Sequence, residues 1–419
     1  MEEYLEKTEK TWDKTAITPG TNFMNTLTNY VTEYYKKKKG SLEIIVSGTD
    51  KVGEGEHKIF DFIRQNSSSH KKENTIIYGL DADLIMLCLN HLHMSRSIYL
   101  FRETPEFIKS IDSSLEPNKE YYLDIPMLSQ FIIEEMCFFK GKTKNDQLYI
   151  QDYILLCFFL GNDFMPHFPA LNIRTGGINK LLNAYKNTIG KTKATLYDGE
   201  EIVWGNVRKL IEYLIEYEHD YILEEYKVRE RMVRKCKPFF NTDEQKFQTY
   251  LNIPILDRSV EEYINPSEKG WECRYYEKLF GLEINKKYRK EICVNYLEGL
   301  EWTMKYYTTG CPDWRWCYHY DYPPLLCDLI KYVPSWREIM IEENNNKPVS
   351  PIIQLCYVLP KECNKLIPKE TIKHLTKNIP DYYEYSGKIN WSFCRYLWES
   401  HIQLPNVDID RLENIIESV

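Results

Sequence analysis

The sequence predicts an α/β fold: a parallel sheet flanked by helices, followed by a mainly helical region. Three observations carry this. Short β-branched apolar runs alternate with helical ones in the first third of the chain, a pattern that implies a parallel sheet with helical layers. From Tyr149 onward the apolar spacing is helical almost throughout. The 419 residues, 43% hydrophobic and 28% charged, suffice for a core divided into two or three units.

Taken in order, Leu42–Ser47 (LEIIVS) and Thr75–Leu80 (TIIYGL) are short, β-branched and bounded by polar residues or Gly, and read as buried strands. Ser97–Phe101 (SIYLF) is a third. A helix is predicted over Glu56–Gln65, with Ile59, Phe60, Phe62 and Ile63 on one face. Another is predicted over Asp83–His91, almost wholly apolar and therefore buried. Tyr122–Asp124 leads into a helix over Pro126–Phe139. Tyr149–Leu160 is a strongly apolar helix that stops at Gly161, and Ile178–Lys186 follows a Gly176–Gly177 pair. Val203 to about Lys235 reads as one or two long amphipathic helices. Asn241–Ser267 and Glu342–Val349 are polar and read as loops.

The opening residues are polar and acidic, unlike a signal peptide. No apolar run approaches the roughly 20 residues a membrane span needs. The expectation is a soluble intracellular protein, cytoplasmic or nuclear, with no membrane partner. The 12 cysteines include no CxxC pair, so they read as reduced, buried thiols and not as a zinc site. The net charge of −8 argues against a uniformly basic nucleic-acid binder, although binding depends on local patches. Lys36–Lys39 is such a patch, although a solvated helix end fits it better. Most of the 33 Tyr, 17 Phe and 9 Trp must pack in the core; exposed ones can stack on bases.

In sheets of this kind ligands bind beyond the carboxyl ends of the strands. The sequence places carboxylates there twice. Gly53-Glu54-Gly55-Glu56-His57-Lys58 follows the first predicted strand, and Asp81-Ala82-Asp83 follows the second. In an extended backbone, residues i and i+2 point the same way, so Asp81 and Asp83 can converge. Like charges that close repel unless a cation neutralises them. Oxygen ligands alone favour Mg²⁺ or Mn²⁺. Asp163, in Gly161-Asn162-Asp163-Phe164, is a third acid at a chain turn. Each position also has a plain structural reading. Asp83 fits a helix N-cap, and Glu54 and Glu56 fit first-turn acids answering the helix dipole. His57 and His167 fit packing roles better than catalytic ones.

At these residues the chain resembles a known family. Gly53–Lys58, preceded by Ser47-Gly48, resembles the GEGEHK segment of XRN-type 5′→3′ exoribonucleases, and Tyr78–Leu87 resembles their YGLDADLIML. Asp152–Pro169, with Leu160-Gly161-Asn162-Asp163-Phe164-Met165-Pro166-His167, is similar to the family's GNDFLPH region. Ile17–Thr21 matches ITPGT. Tyr296–Trp302 and Gly310–Trp316 are similar to the second conserved region. Pro348–Pro351, Gln354-Leu355 and Leu359-Pro360 fit its next block.

The resemblance implies a PIN/flap-nuclease-like core over residues 1–195 and a mainly helical second conserved region over 196–419. It implies processive degradation of single-stranded RNA from a 5′-monophosphate end to nucleoside monophosphates. Divalent metal, Mg²⁺ or Mn²⁺, would be held by Glu54, Glu56, Asp81, Asp83 and Asp163. Lys58, Trp314 and Trp316 become candidates for RNA contact, the two tryptophans fitting a core role equally. There are departures. The family's opening acidic strand and basic 5′-phosphate pocket precede ITPGT, which here begins at residue 17, so the core is expected to be incomplete at its N-terminus. A second polypeptide is the expected source of that part, and the chain alone is expected to be a poor nuclease. A family His is Asp321 here. The competing expectations are a catalytically impaired subunit that binds RNA or protein, and a flap-type DNA nuclease, which should lack the downstream Trp-rich block.

Overall fold

The computed structural model describes residues 12–38, 40–104, 112–137, 145–238, 240–281, 285–383, 387–403 and 407–418. The chain divides into two compact units that interleave along the sequence. One comprises Met1–Gly55, Cys236–Arg258 and Asn346–Val419; the other comprises Glu56–Lys235 and Ser259–Asn345. The 195/196 boundary expected from the sequence falls inside the second unit.

In chain order the principal elements begin with α1 (Asn22–Lys37), α2 (Gly55–Gln65), β1 (Asn74–Tyr78), α3 (Asp83–His91), β2 (Ser97–Glu103) and β3 (Glu120–Asp124). They continue with α4 (Ile125–Met136), α5 (Asp146–Phe158), α6 (Gly177–Asn187), α7 (Trp204–Ile215) and α8 (Glu218–Lys235). The rest are α9 (Asp243–Leu251), α10 (Ser259–Ile264), α11 (Trp271–Phe280), α12 (Lys286–Thr308), α13 (Pro351–Val358), α14 (Lys369–Asn378) and α15 (Ile409–Glu417).

The α/β class holds, with corrections. The sheet is mixed, not parallel: β1 pairs parallel with β2, and β2 pairs antiparallel with β3. Leu42–Ser47 is not a strand. A strand needs partners for its amides and carbonyls, and this segment pairs with none among the described residues; Leu42 and Ile45 are exposed. Asn241–Ser267 is not a loop but holds α9, a single helical turn at Ile253–Leu256, and α10. Its polar residues begin helices there: Thr242 caps α9 by accepting from the Gln245 amide at 3.2 Å. Residues 138 and 139 of the helix predicted over Pro126–Phe139 lie outside the described residues, as does Lys39 of the lysine run.

In the second unit, α3 and α4 pack on β2, and α3 packs on α5 and α12. The inner sheet face supplies Ile77, Ile98 and Leu100; α3 supplies Leu84, Leu87 and Cys88; all are buried. On the other face Tyr78, Phe101 and Tyr122 form a row, with ring centroids 5.5 and 4.9 Å apart. Buried polar side chains fix the helices. Asn90 of α3 donates to the Tyr307 carbonyl of α12 at 2.9 Å and accepts from Gln151 of α5 at 3.2 Å. Asp152, in the apolar run of α5, accepts from the Tyr185 hydroxyl and from the amides of Leu196 and Tyr197. Burial pushes its carboxyl up to about 7 against those three donors. Arg229 of α8 donates twice to Glu261 of α10, at 2.9 and 2.6 Å, with both side chains buried.

In the first unit, α13, α14 and α15 enclose a core of Ile353, Leu355, Cys356, Leu359, Leu375 and Leu412. The turn at Gly20, with φ +90°, lies so close to the start of α13 that a Cβ there would meet the Pro351 carbonyl oxygen at 2.5 Å. Arg395 donates to Asn252 at 2.8 Å and the Trp391 indole to the Asp257 carbonyl at 3.0 Å. These bonds join the central and final segments of that unit.

Candidate metal centre

Three of the five predicted acids come together. Glu56, Asp81 and Asp83 each offer a carboxylate oxygen, and these atoms lie within 4.8 Å of one another. Local sequence explains the placement. Glu56 stands in the first turn of α2. Asp81 is exposed on the connection that leaves β1, and Asp83 opens α3, where it also accepts from the Leu84 amide at 3.1 Å. Gly79 lets the strand end run tightly over that first turn, because a Cβ there would collide with the Leu84 side chain. Its amide still donates to the Phe101 carbonyl at 3.3 Å, and Arg102 donates to the Leu80 carbonyl at 2.6 Å. The connection carrying Asp81 is thereby tied to β2.

Glu54 and Asp163 are not members of the trio. Glu54 is exposed just before α2, in the other compact unit. Asp163 is exposed in the loop after α5. Backbone chemistry shapes that loop. The Asn162 side chain accepts from the amides of Phe164 and Met165, both at 2.9 Å, and the Asn162 amide donates to the Met165 carbonyl at 2.9 Å. This turn, closed by an Asn side chain, presents Asp163 outward. Gly161 has φ +86°, and a Cβ there would sit 2.9 Å from the His167 amide nitrogen; only glycine fits both demands.

His57 is buried beside the trio, its ring stacked on Tyr306 at 3.8 Å. Burial lowers it to about 4, against the pull of the Asp83 carboxylate, so the ring is neutral at neutral pH. Lys58, in the same helical turn, is half-buried. Of the two tryptophans, Trp314 is exposed. Trp316 stacks on Trp302 at 5.3 Å and lies against α12, where a Cβ on Gly299 would meet its Cη2 at 2.8 Å. Sequence reasoning missed Asn90, Asn162 and Tyr306. Of these, Asn162 carried a legible signal, an Asn directly after a helix-ending Gly.

The donor set is all oxygen, which suits a hard divalent cation and gives a soft metal nothing to prefer. Among the described residues no helix is long and apolar enough to cross a membrane.

Comparison with known proteins gives a concordant result. A family described as the XRN 5′-3′ exonuclease N-terminus matches residues 1–104. One described as the Xrn1 helical domain matches residues 143–253 and 241–419. A 5′-3′ exoribonuclease 2 of Arabidopsis thaliana is 26% identical, over 96% of this chain and 51% of its own length. The Gallus gallus 5′-3′ exoribonuclease 2 is 26% identical, over 99% and 54%. The Schizosaccharomyces pombe 5′-3′ exoribonuclease 1 is 25% identical, over 98% and 39%. The chain thus spans about half the length, or less, of these curated relatives. With acid-bearing motifs, helical region and similarity along nearly the whole of this chain in agreement, the chain belongs to the XRN family of 5′→3′ exonucleases.

Proposed function

We propose that the chain acts as a 5′→3′ exoribonuclease. It would take single-stranded RNA with a 5′-monophosphate and release nucleoside monophosphates by metal-assisted phosphodiester hydrolysis on a PIN/flap-nuclease-like core. The observation that carries the reading is the convergence of Glu56, Asp81 and Asp83. The exoribonuclease names of relatives aligned over nearly all of the chain support it.

Three carboxylates this close repel one another, so the site favours a positive charge. Glu56 and Asp83 reach it from the first turns of two helices, and Asp81 from the strand exit. Glu54 and Asp163 are proposed as further ligands. Mg²⁺ or Mn²⁺ held there supplies charge neutralisation at the scissile phosphate. Lys58 adds positive charge for the RNA backbone, and Trp314 offers an exposed ring for base stacking. Trp316 supports that strand of chain by packing on α12.

The test is to offer 5′-monophosphorylated single-stranded RNA to residues 1–419 with Mg²⁺ or Mn²⁺. Slow metal-dependent release of mononucleotides that Asp83→Ala abolishes is the expected result for this chain alone, and release that survives Asp83→Ala overturns the site. The same assay with an added N-terminal nuclease segment tests whether groups supplied from outside residues 1–419 complete the site. RNA bound but uncut under both conditions identifies a binding subunit instead.

A further inference from the structure

The geometry points to Tyr306 as a positioning residue that sets the acid-bearing segments in register. The inference rests on the metal-site reading above and adds a part of the chain that carries no acid of that site. Tyr306 lies in α12, one turn after Trp302, and the two rings stack with centroids 5.0 Å apart. His57 stacks on Tyr306 from one side, at 3.8 Å and 20° between planes, and meets Tyr307 edge-on at 5.3 Å. Phe164 meets Tyr306 edge-on at 5.4 Å and Trp302 at 4.9 Å. His57 follows Glu56 in the chain, and Phe164 follows Asp163. The third acid-bearing element, α3, is bonded to the same stretch through Asn90 and the Tyr307 carbonyl at 2.9 Å.

Three chain segments that carry acids therefore share one footing, the Trp302–Tyr307 stretch of α12. A cluster of like charges has no internal reason to stay together. Something else must hold its members at ligand distance, and groups outside the coordination sphere commonly do so. Within that stretch, Tyr306 makes ring contacts to both His57 and Phe164. The ring is what matters, because both contacts are made ring to ring.

The experiment uses the full chain and Mn²⁺ alone, with affinity read by calorimetry and folding by thermal melting. Tyr306→Leu removes the flat ring at similar volume; Tyr306→Phe keeps it. The expected result is Mn²⁺ binding about tenfold weaker in Tyr306→Leu, as for other outer-sphere partners, with Tyr306→Phe near wild type. Asp81→Asn serves as the reference for the site itself. If Asp81→Asn weakens binding while Tyr306→Leu does not, the metal site stands and this inference is overturned. Equal weakening in Tyr306→Leu and Tyr306→Phe also overturns it, since the hydroxyl would then be responsible. If Asp81→Asn changes nothing, the metal-site reading fails, and this inference with it. Should Tyr306→Leu lose its cooperative melt, His57→Leu against His57→Phe applies the same comparison from the other side of the stack.

Discussion

Asp81 and Asp83 lie two residues apart, yet the chain between them turns from strand exit to helix start, and the two carboxylates still meet Glu56. Asp81 is exposed and accepts from no donor among the described residues, so its charge is open to a cation. Asp81→Asn keeps the shape and removes the charge. It should weaken Mn²⁺ binding by at least the roughly tenfold that even outer-sphere partners cost, and unchanged affinity by calorimetry would count against the site. These acids were legible in the sequence because each stands where a strand or helix begins or ends. Tyr306 was not, because a ring that packs leaves no local pattern. Its partners His57 and Phe164 are remote in sequence, and only the folded chain brings them to it. Asp152 was half legible: an acid in an apolar helix is an anomaly on the page, but its three donors come from α6 and from the Leu196–Tyr197 backbone.

At the scale of elements, helices were read well where their apolar face is continuous, as in α3, found at the expected Asp83–His91. Strands depend on partners that no local run can announce. Leu42–Ser47 has the composition of a strand and pairs with nothing among the described residues, while β3 pairs antiparallel although its local sequence marks only its end at Tyr122–Asp124. The joint between α8 and α10 rests on the buried Arg229–Glu261 pair. Arg229→Met leaves Glu261 charged and dry, so the expected loss is about 3–5 kcal/mol by urea titration. Adding Glu261→Leu to Arg229→Met should restore much of it, because the stranded charge is then gone. His91 at the end of α3 gives a pH signature. Its Nδ1 faces the Leu87 carbonyl at 2.8 Å and its Nε2 faces Arg64 Nη1 at 2.7 Å. The latter contact requires Nε2 unprotonated, because a proton there would face the guanidinium. Burial takes the ring from 6.5 down to about 3. Above pH 6.5 neither state holds the proton, and His91 makes no pH-dependent difference. As pH falls from about 6.5 towards 3, the unfolded chain binds a proton that the native one excludes, so stability is lost. Wild type should lose up to about 1.4 kcal/mol per pH unit more than His91→Gln in that window. Parallel urea midpoints for the two proteins would remove this explanation.

Across the whole molecule, the net charge of −8 argues mildly against nucleic-acid binding, while the proposed function asks for such binding on one surface. Charge summed over a chain says little about one surface. The two interleaved units were not legible, because the glycines at the 55/56 boundary belong to the acid-bearing Gly53–Lys58 motif and the boundaries at 235/236, 258/259 and 345/346 carry no glycine-rich linker. That interleaving bears on the order of events at the ribosome. The second unit has all its residues once position 345 has been made, whereas the first cannot be assembled until the stretch from Asn346 onward exists. Thiols record the difference. Cys88 and Cys293 are buried in the second unit and Cys356 in the first, and burial pushes all three above the usual thiol range. Pulses of alkylating reagent during synthesis should find Cys88 and Cys293 protected while Cys356, newly emerged, still reacts. Nascent chains released short of residue 346 should already shield the first two, and a chain that shields them only when Cys356 is also shielded would show the units to fold as one.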